Sequence, residues 1–163
     1  MHRKALDILM GVSRIGVLGA GQMGAGIAQV ASCSGYSVTM VDIDENAVER
    51  GMDSIRSSLQ RIVSKGRMEL KDSQAAMELI TRSTNRLDLS ECDLIVEAIP
   101  EILQLKLDTF SELDSICRRD SILATNTSSI SIDAIAKATN RPDRVIGMHF
   151  MNPVPIMKLV EVI

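Results

Sequence analysis

A run of glycines near the N-terminus constrains the fold more than any other feature of this 163-residue chain. Residues 19–24 read G-A-G-Q-M-G, a G-x-G-x-x-G pattern. The pattern follows an apolar segment at 14–18 that predicts a strand, and it opens a segment at 22–34 that predicts a helix ended by Gly35. A second apolar segment at 37–41 predicts the next strand. A glycine turn between a strand and a helix is typical of a βαβ unit, in which both strands lie parallel in one sheet.

The alternation of short apolar strands with helices continues along the chain. Apolar residues recur every three or four positions from Val48 to Ile62, which predicts a long helix from an Asp44 N-cap to about Lys65. The other segments are predicted as a helix at 71–80, a strand at 93–98, a helix at 103–117, a strand at 121–124, a short helix at 131–138 and strands at 144–148 and 158–163. This order predicts an α/β fold, a doubly wound, mostly parallel sheet of Rossmann type with helices on both faces.

Each position of the glycine run has a reason to hold its residue if the turn binds a pyrophosphate. Gly19 permits the tight turn, Gly21 lets the backbone approach a phosphate, and Gly24 lets the helix pack closely on the strand. The first helical residues, Gln22 and Met23, bring free N–H groups and the positive end of the helix dipole to the phosphates. We therefore expect a dinucleotide at this turn.

Asp42, directly after the second predicted strand, indicates which dinucleotide binds. A carboxylate there would accept hydrogen bonds from the hydroxyls of the adenosine ribose and repel a 2′-phosphate. The pattern therefore favours NAD over NADP. The alternative is an ordinary glycine turn followed by an aspartate that caps the next helix.

Composition argues against several other functions. The chain carries 18 Lys and Arg against 21 Asp and Glu, so it has no basic excess to bind nucleic acid. It has no Trp, one Tyr and two Phe, too few aromatic side chains to stack on bases. Three cysteines without a C-x-x-C spacing predict neither a disulfide framework nor a metal site. Residues 15–41 carry no charge, but their glycines and polar side chains argue against a membrane span or a signal peptide and favour a cytoplasmic protein.

Two polar residues near the C-terminus form a candidate acid–base pair. His149 lies at the end of a predicted strand, where open α/β sheets bind their ligands. Alternation along the last predicted strand puts Glu161 on the same face as Met157, Leu159 and Ile163. A carboxylate on an apolar face is costly unless it is paired, so we expect His149 to be its partner. The pattern alone leaves open a His149 bonded to a backbone carbonyl and an exposed Glu161.

A short polar loop follows another predicted strand at the same edge of the sheet. Residues 126–129 read N-T-S-S, and Ser128 lies inside this loop. Hydroxyl and amide groups there can bind a substrate oxygen or a nicotinamide. A turn that only caps the next helix explains the pattern equally well.

Four runs of residues closely resemble the NAD-binding domain of the 3-hydroxyacyl-CoA dehydrogenases. They are Gly19–Ala28 (GAGQMGAGIA), Val96–Glu101 (VEAIPE), Asn126–Ser129 (NTSS) and His149–Glu161 (HFMNPVPIMKLVE). The resemblance extends over 14–163, and the last run is its most specific part.

The resemblance implies a set of cofactor contacts in addition to the glycine run. Asp42 matches the family's ribose ligand. Glu101 and Lys106 match residues that contact NAD near its nicotinamide half. Asn152 matches a further cofactor contact.

The resemblance also implies the catalytic and substrate-binding residues. Ser128 matches the serine between the substrate oxygen and the nicotinamide, His149 the catalytic base, and Glu161 its partner. Ser58 and Lys65 match residues that meet the coenzyme A moiety. Helical spacing supports this last pair independently, although an ordinary solvated face would show the same pattern; the face carries Ser54, Ser58, Arg61 and Lys65.

The domain organisation and the reaction follow from the same resemblance. Residues 1–13 are expected to be a leader of no clear role, and 14–163 the NAD-binding domain, without the helical domain of roughly a hundred residues that follows it in the family. The implied reaction is NAD-dependent oxidation of an L-3-hydroxyacyl-CoA to the 3-oxoacyl-CoA, in fatty-acid β-oxidation or butanoate metabolism, by a homodimer. Two alternatives stay open: a β-hydroxyacid dehydrogenase that acts on small free acids, and an NAD-binding module with little chemistry of its own.

Overall fold

The computed structural model describes residues 11–163, which fold around one seven-stranded sheet. The strands are β1 (Arg14–Leu18), β2 (Ser37–Val41), β3 (Ile80–Ser83), β4 (Leu94–Glu97), β5 (Ile122–Thr125), β6 (Val145–Phe150) and β7 (Val160–Val162). The helices are α1 (Gln22–Cys33), α2 (Glu45–Ser64), α3 (Leu70–Glu78), α4 (Leu103–Ile116) and α5 (Ile132–Ala136), with 3₁₀ turns at Arg86–Leu89 and Pro142–Arg144. Most of the leader predicted over 1–13 lies outside the described residues.

The sheet confirms the predicted doubly wound topology. Its strand order is β3-β2-β1-β4-β5-β6-β7. Strands β1 to β6 are parallel, and β7 returns antiparallel to β6. The order reverses between β1 and β4, and at such a switch point the carboxyl ends of the strands leave a crevice that binds ligands in open α/β sheets.

Helices cover both faces of the sheet because successive side chains of a strand point to opposite sides. Ile15 and Val17 of β1 pack in one core with apolar residues of α1, α2 and α3. Leu18 packs in a second core on the other face, with Phe110 and Leu113 of α4 and with residues of α5. Within residues 11–163, no helix is both long enough and apolar enough to cross a membrane.

The long helix α2 forms as its sequence predicts. The Asp44 carboxylate caps the helix by accepting a hydrogen bond from the Ala47 N–H at 2.8 Å. Val48, Ile55 and Leu59 of the apolar stripe are buried. The opposite, polar face of α2 therefore remains available to line the ligand side of the molecule.

Two predictions about elements are wrong in detail. The helix predicted at 71–80 ends at Glu78, and Ile80–Ser83 forms the edge strand β3, which pairs with β2. Only Ile80 of this strand is buried, so the segment has no apolar run that would predict a strand. The strand predicted at 158–163 is shorter, spanning Val160–Val162.

Candidate active site

The glycine run forms a tight turn between β1 and α1. Gly19 has a φ of 105°, in the left-handed region that glycine adopts readily, and its N–H donates to the Val41 carbonyl at 2.7 Å. Among residues 11–163, no side chain caps the N-terminus of α1, so Gln22 and Met23 begin a helix whose first N–H groups have no side-chain acceptor there. A Cβ placed on Gly21 would meet no atom within 4 Å. The turn thus has the open backbone and free donors that a pyrophosphate requires.

Asp42 lies beside this turn at the end of β2. Its carboxylate accepts hydrogen bonds at 2.6 Å from the Ala20 N–H and at 2.6 Å from the Ile43 N–H. The turn and Asp42 line one cavity of about 920 Å³, together with Arg50 and the residues after β4. Its size and its lining by backbone donors and a carboxylate fit the adenosine and pyrophosphate parts of NAD.

Three polar side chains, from the loop after β5 and from β6 and β7, form a chain of contacts. The Ser128 hydroxyl lies 3.2 Å from Nε2 of His149, and the other ring nitrogen, Nδ1, lies 2.9 Å from Oε2 of Glu161. An ionised carboxylate can only accept a hydrogen bond, so the proton of a neutral His149 sits on Nδ1. Nε2 is then a base with its lone pair directed to the Ser128 hydroxyl.

The contact between His149 and Glu161 arises differently from the way the sequence suggested. The two residues are register partners across the antiparallel β6–β7 pair. The Glu161 side chain is 49% exposed, and Met157, Leu159 and Ile163 are exposed as well. The expected pairing is therefore present, but the premise that an apolar, buried face forces it is wrong.

Glu101 holds the loop that carries Ser128. Its Oε1 accepts hydrogen bonds from the Ser128 N–H at 3.1 Å, from the Ser129 N–H at 3.2 Å and from the Thr127 hydroxyl. Burial alone would raise the pKa of Glu101, but the bond from Thr127, the charge of Lys106 and the bonds from Ser129 and Ser128 lower it to about 2. Glu101 therefore stays ionised across the physiological pH range and continues to accept the hydrogen bonds from the loop.

Lys106 is buried behind the site. Its side chain is 1% exposed, and Nζ lies 2.6 Å from Oε1 of Glu97 and 3.4 Å from Oε2 of Glu101. The ammonium contacts Glu101, which is exposed at the site, but is not itself exposed there, because Lys106 lies on the buried side of α4. Sequence reasoning did not single out Glu97, although a carboxylate inside the apolar run that follows Asp93 was a signal.

Two asparagines connect the end of β6 to other elements. Oδ1 of Asn126, after β5, accepts a hydrogen bond from the Phe150 N–H of β6 at 2.8 Å, so this asparagine joins the Ser128 loop to the histidine strand. Oδ1 of Asn152 accepts a bond from Nε2 of Gln22 at 3.2 Å. The second bond brings the end of β6 to the start of α1. The predicted cofactor residues Gln22 and Asn152 thus lie together.

The polar face of α2 lines a second cavity of about 730 Å³, opposite the segment 152–158. Ser58 and Lys65 both lie on this cavity, as do Arg61, Arg67 and Lys158. Gln22 and Ser54 line both this cavity and the one at the glycine turn. The two cavities are therefore neighbours, and the second carries a concentration of cationic side chains.

An uncapped helix behind a glycine turn, a carboxylate at the end of β2 and an imidazole–carboxylate pair at the same sheet edge define the NAD-binding domain of a dehydrogenase. Residues 14–163 match the family described as "3-hydroxyacyl-CoA dehydrogenase, NAD binding domain". The chain belongs to this family.

Relatives of the chain carry closely related names. The probable 3-hydroxybutyryl-CoA dehydrogenase of Bacillus subtilis is 46% identical over 154 residues, which make up 94% of this chain and 54% of the relative. The 3-hydroxybutyryl-CoA dehydrogenase of Clostridioides difficile is 43% identical, over 92% of this chain and 53% of the relative. The crystal structure of (S)-3-hydroxybutyryl-CoA dehydrogenase PaaH1 from Ralstonia eutropha matches with a TM-score of 0.91 and 44% identity, over 93% of this chain and 53% of that protein. The chain spans about half the length of these relatives.

Proposed function

We propose that the chain supplies the cofactor-binding domain and the acid–base pair of an NAD-dependent L-3-hydroxyacyl-CoA dehydrogenase, which forms the 3-oxoacyl-CoA. The observation that carries the proposal is the line from Ser128 through His149 to Glu161, at the same sheet edge as the glycine turn. Family membership and the names of the relatives support the substrate class.

His149 has the geometry of the general base in this reaction. Its Nε2 would take the proton of the substrate's 3-hydroxyl as the carbon–oxygen double bond forms. Glu161, which accepts the bond from Nδ1, stabilises the imidazolium that results and keeps the ring in the reactive tautomer. NAD, held by the glycine turn and Asp42, would supply the hydride acceptor for C3 of the substrate.

Ser128 positions the substrate oxygen in this proposal. Its hydroxyl lies 3.2 Å from Nε2 of His149, so an alcohol bound to both groups would have its proton directed at the base. The hydrogen bond that the Ser128 N–H donates to Glu101 limits the movement of Ser128. Asn152 and Gln22 hold the end of β6 against the helix that faces the pyrophosphate.

The second cavity, along the polar face of α2, is the proposed site of the coenzyme A moiety. Lys65, Arg61, Arg67 and Lys158 supply positive charge for its phosphates, and Ser58 supplies a hydroxyl. The second cavity is also lined by Asn152, three residues after His149, so an acyl chain extending from it would be directed towards the acid–base pair.

A second candidate is a module that binds NAD and performs little chemistry by itself. The observation that favours it is a row of exposed apolar side chains around β7: Ile156, Met157, Leu159, Val162 and Ile163. If these side chains do not hold a substrate in position, a reaction at His149 would be slow, because positioning can contribute many orders of magnitude to a rate.

The experiment that separates these candidates follows NADH oxidation by this chain with acetoacetyl-CoA and, in parallel, with acetoacetate. The proposal expects slow turnover that requires the thioester. Equal use of free acetoacetate would favour a dehydrogenase of small free acids. NADH binding by calorimetry without turnover of either compound would favour the binding module.

Several finer expectations stay predictions of the same proposal. A role in fatty-acid β-oxidation or butanoate metabolism, a homodimeric assembly and a cytoplasmic location come from sequence reasoning. The division into a leader at 1–13 and an NAD-binding domain at 14–163 belongs with them.

A further inference from the structure

Glu97 and Lys106 form a buried ion pair directly beneath the candidate site. Their side chains are 0% and 1% exposed, respectively, and Nζ of Lys106 lies 2.6 Å from Oε1 of Glu97. Glu97 also accepts bonds from the Ile99 N–H at 2.7 Å and from the Thr125 hydroxyl at 2.8 Å. Hydrophobic residues of similar volume are often as stable as a buried ion pair, so stability alone is a weak reason for this one.

The ammonium of Lys106 is shared between two carboxylates. Besides Glu97, it lies 3.4 Å from Oε2 of Glu101 and 3.4 Å from the Ile99 carbonyl oxygen. Glu97 lies in the core and Glu101 at the surface of the site, with a side chain that is 41% exposed. Lys106 therefore connects the core of the sheet to a carboxylate that faces the ligand side.

Both carboxylates hold the loop that carries Ser128. Glu101 accepts bonds from the Ser128 and Ser129 N–H groups. Glu97 acts from the other end, since the Thr125 hydroxyl that donates to Glu97 also accepts from the Thr127 N–H at 3.2 Å. The loop is thus held on two sides by one charge network of three residues.

We infer that Glu97 and Lys106 are positioning residues, which act through Glu101 to hold the Ser128 hydroxyl in line with His149. Lys106 lies within ion-pair distance of both carboxylates, and Glu101 accepts a hydrogen bond from the backbone N–H of the serine. The catalytic meaning of this inference rests on the proposed function. Its structural content, the order of the loop, does not.

One double variant and one single variant separate a positioning role from a contribution to stability alone. Glu97→Gln with Lys106→Met removes both buried charges together and leaves no unpaired ion in the core. Glu101→Gln keeps an oxygen for the loop N–H groups but loses the charge, which removes the attraction to Lys106 and weakens the bonds from the loop. Asp108→Asn is the matched control, because it removes a carboxylate from an exposed position of the same helix.

The measurement is amide hydrogen exchange at Ser128 and Ser129, with the ring NMR signals of His149, one of two histidines in the chain. All are recorded without substrate, so this inference and the proposed function can fail separately. We expect the double variant to lower protection of both amides about tenfold and to shift the His149 signals, while Asp108→Asn changes neither. Adding Glu101→Gln to the double variant should cause little further loss, because all three residues act in one chain.

Either of two results would overturn the inference. One is wild-type protection and unchanged His149 signals in the double variant. The other is the same wild-type behaviour in Glu101→Gln, which changes a half-exposed residue and decides the matter even if the double variant does not fold.

Discussion

Gly24 lies so close to Gly19 that a Cβ on Gly24 would be 1.8 Å from the Gly19 carbonyl oxygen. Gly21, between them, is different. Its Cβ would meet no atom within 4 Å, and its φ of −67° is open to any residue. Two glycines of one motif therefore differ: the packing of the turn requires Gly24, whereas no contact within residues 11–163 requires Gly21, where we propose that a ligand approaches.

Substitution of the two glycines should separate folding from cofactor binding. Gly21→Ala should leave the free energy of unfolding within about 1 kcal/mol of wild type, since alanine fits its backbone conformation. It should weaken NAD binding about tenfold or more, because the methyl group occupies the approach of the pyrophosphate. Gly24→Ala should destabilise the fold by about 1–3 kcal/mol through the clash with the backbone. Urea unfolding and calorimetry check both; wild-type NAD affinity in Gly21→Ala would remove the pyrophosphate from this turn.

Asp42 should set the preference for NAD. Asp42→Asn retains an oxygen for the Ala20 N–H and loses the charge, so NAD affinity should fall about tenfold while the gap to NADP narrows. Asp44→Asn is the control, because Asp44 lines the same cavity but caps α2, a role asparagine fills equally well. Calorimetric titration with both cofactors measures the effect. Equal affinity of the wild type for NAD and NADP would show that Asp42 does not face the ribose.

Lys65 should contribute to coenzyme A binding. Lys65→Met should weaken the affinity for CoA about two- to fivefold at low salt, as expected for an exposed charge, and the difference should shrink as salt is added. Lys71→Met is the matched control, since Lys71 is an exposed lysine on α3 and pairs with Glu69 at 2.8 Å. An equal loss of CoA affinity in both variants would mean that the positive charges attract anions in general and that the second cavity is not a specific site for CoA.

Asp93 should make the free energy of unfolding depend on pH. It lies just before β4, at the amino ends of the strands and so on the opposite side of the sheet from the site. Its carboxylate accepts bonds at 2.7 Å from the Ser13 N–H and 2.8 Å from the Arg14 N–H, and Arg118 lies 2.6 Å away. Burial would raise the pKa of Asp93, but these donors lower it from 3.8 to about 2. A carboxyl group with a lowered pKa stabilises the folded state above its ordinary pKa and loses that contribution as the pH falls.

Asp93→Asn should therefore cost about 2 kcal/mol at neutral pH, and its difference from wild type should disappear between about pH 4 and pH 2. The measurement is urea unfolding across that range, with Asp143→Asn as an exposed control. A stability difference that stays constant down to pH 2 would mean that the Asp93 charge is not responsible.

Local signals allowed most of the fold to be predicted. The glycine spacing, the Asp44 cap and the apolar stripe of α2 each depend on residues a few positions apart. The short helix predicted at 131–138 is of the same kind, because α5 begins where the Ser131 hydroxyl accepts a hydrogen bond from the Ala134 N–H at 3.3 Å. The edge strand β3 was missed because it pairs on one side only and buries a single residue, so its sequence resembles the helix before it.

The candidate site was less accessible to sequence reasoning, because its key contacts join distant elements. The Ser128 loop, after β5, donates hydrogen bonds to Glu101, which follows β4. The burial of Lys106 depends on how α4 packs back on the sheet, which no local pattern reveals. The pairing of His149 with Glu161 was predicted, but it follows from strand register and not from burial.

The most direct test of the account is the rate at which acetoacetyl-CoA oxidises bound NADH in wild type, His149→Gln and Glu161→Gln under single-turnover conditions. We predict a loss of about 10²–10⁴-fold in His149→Gln, the usual contribution of a general base, with a smaller but clear loss in Glu161→Gln. NADH affinity should change little in either variant, because neither residue lines the glycine-turn cavity. A wild-type rate in His149→Gln would contradict the account, since the proton would then be delivered by another group.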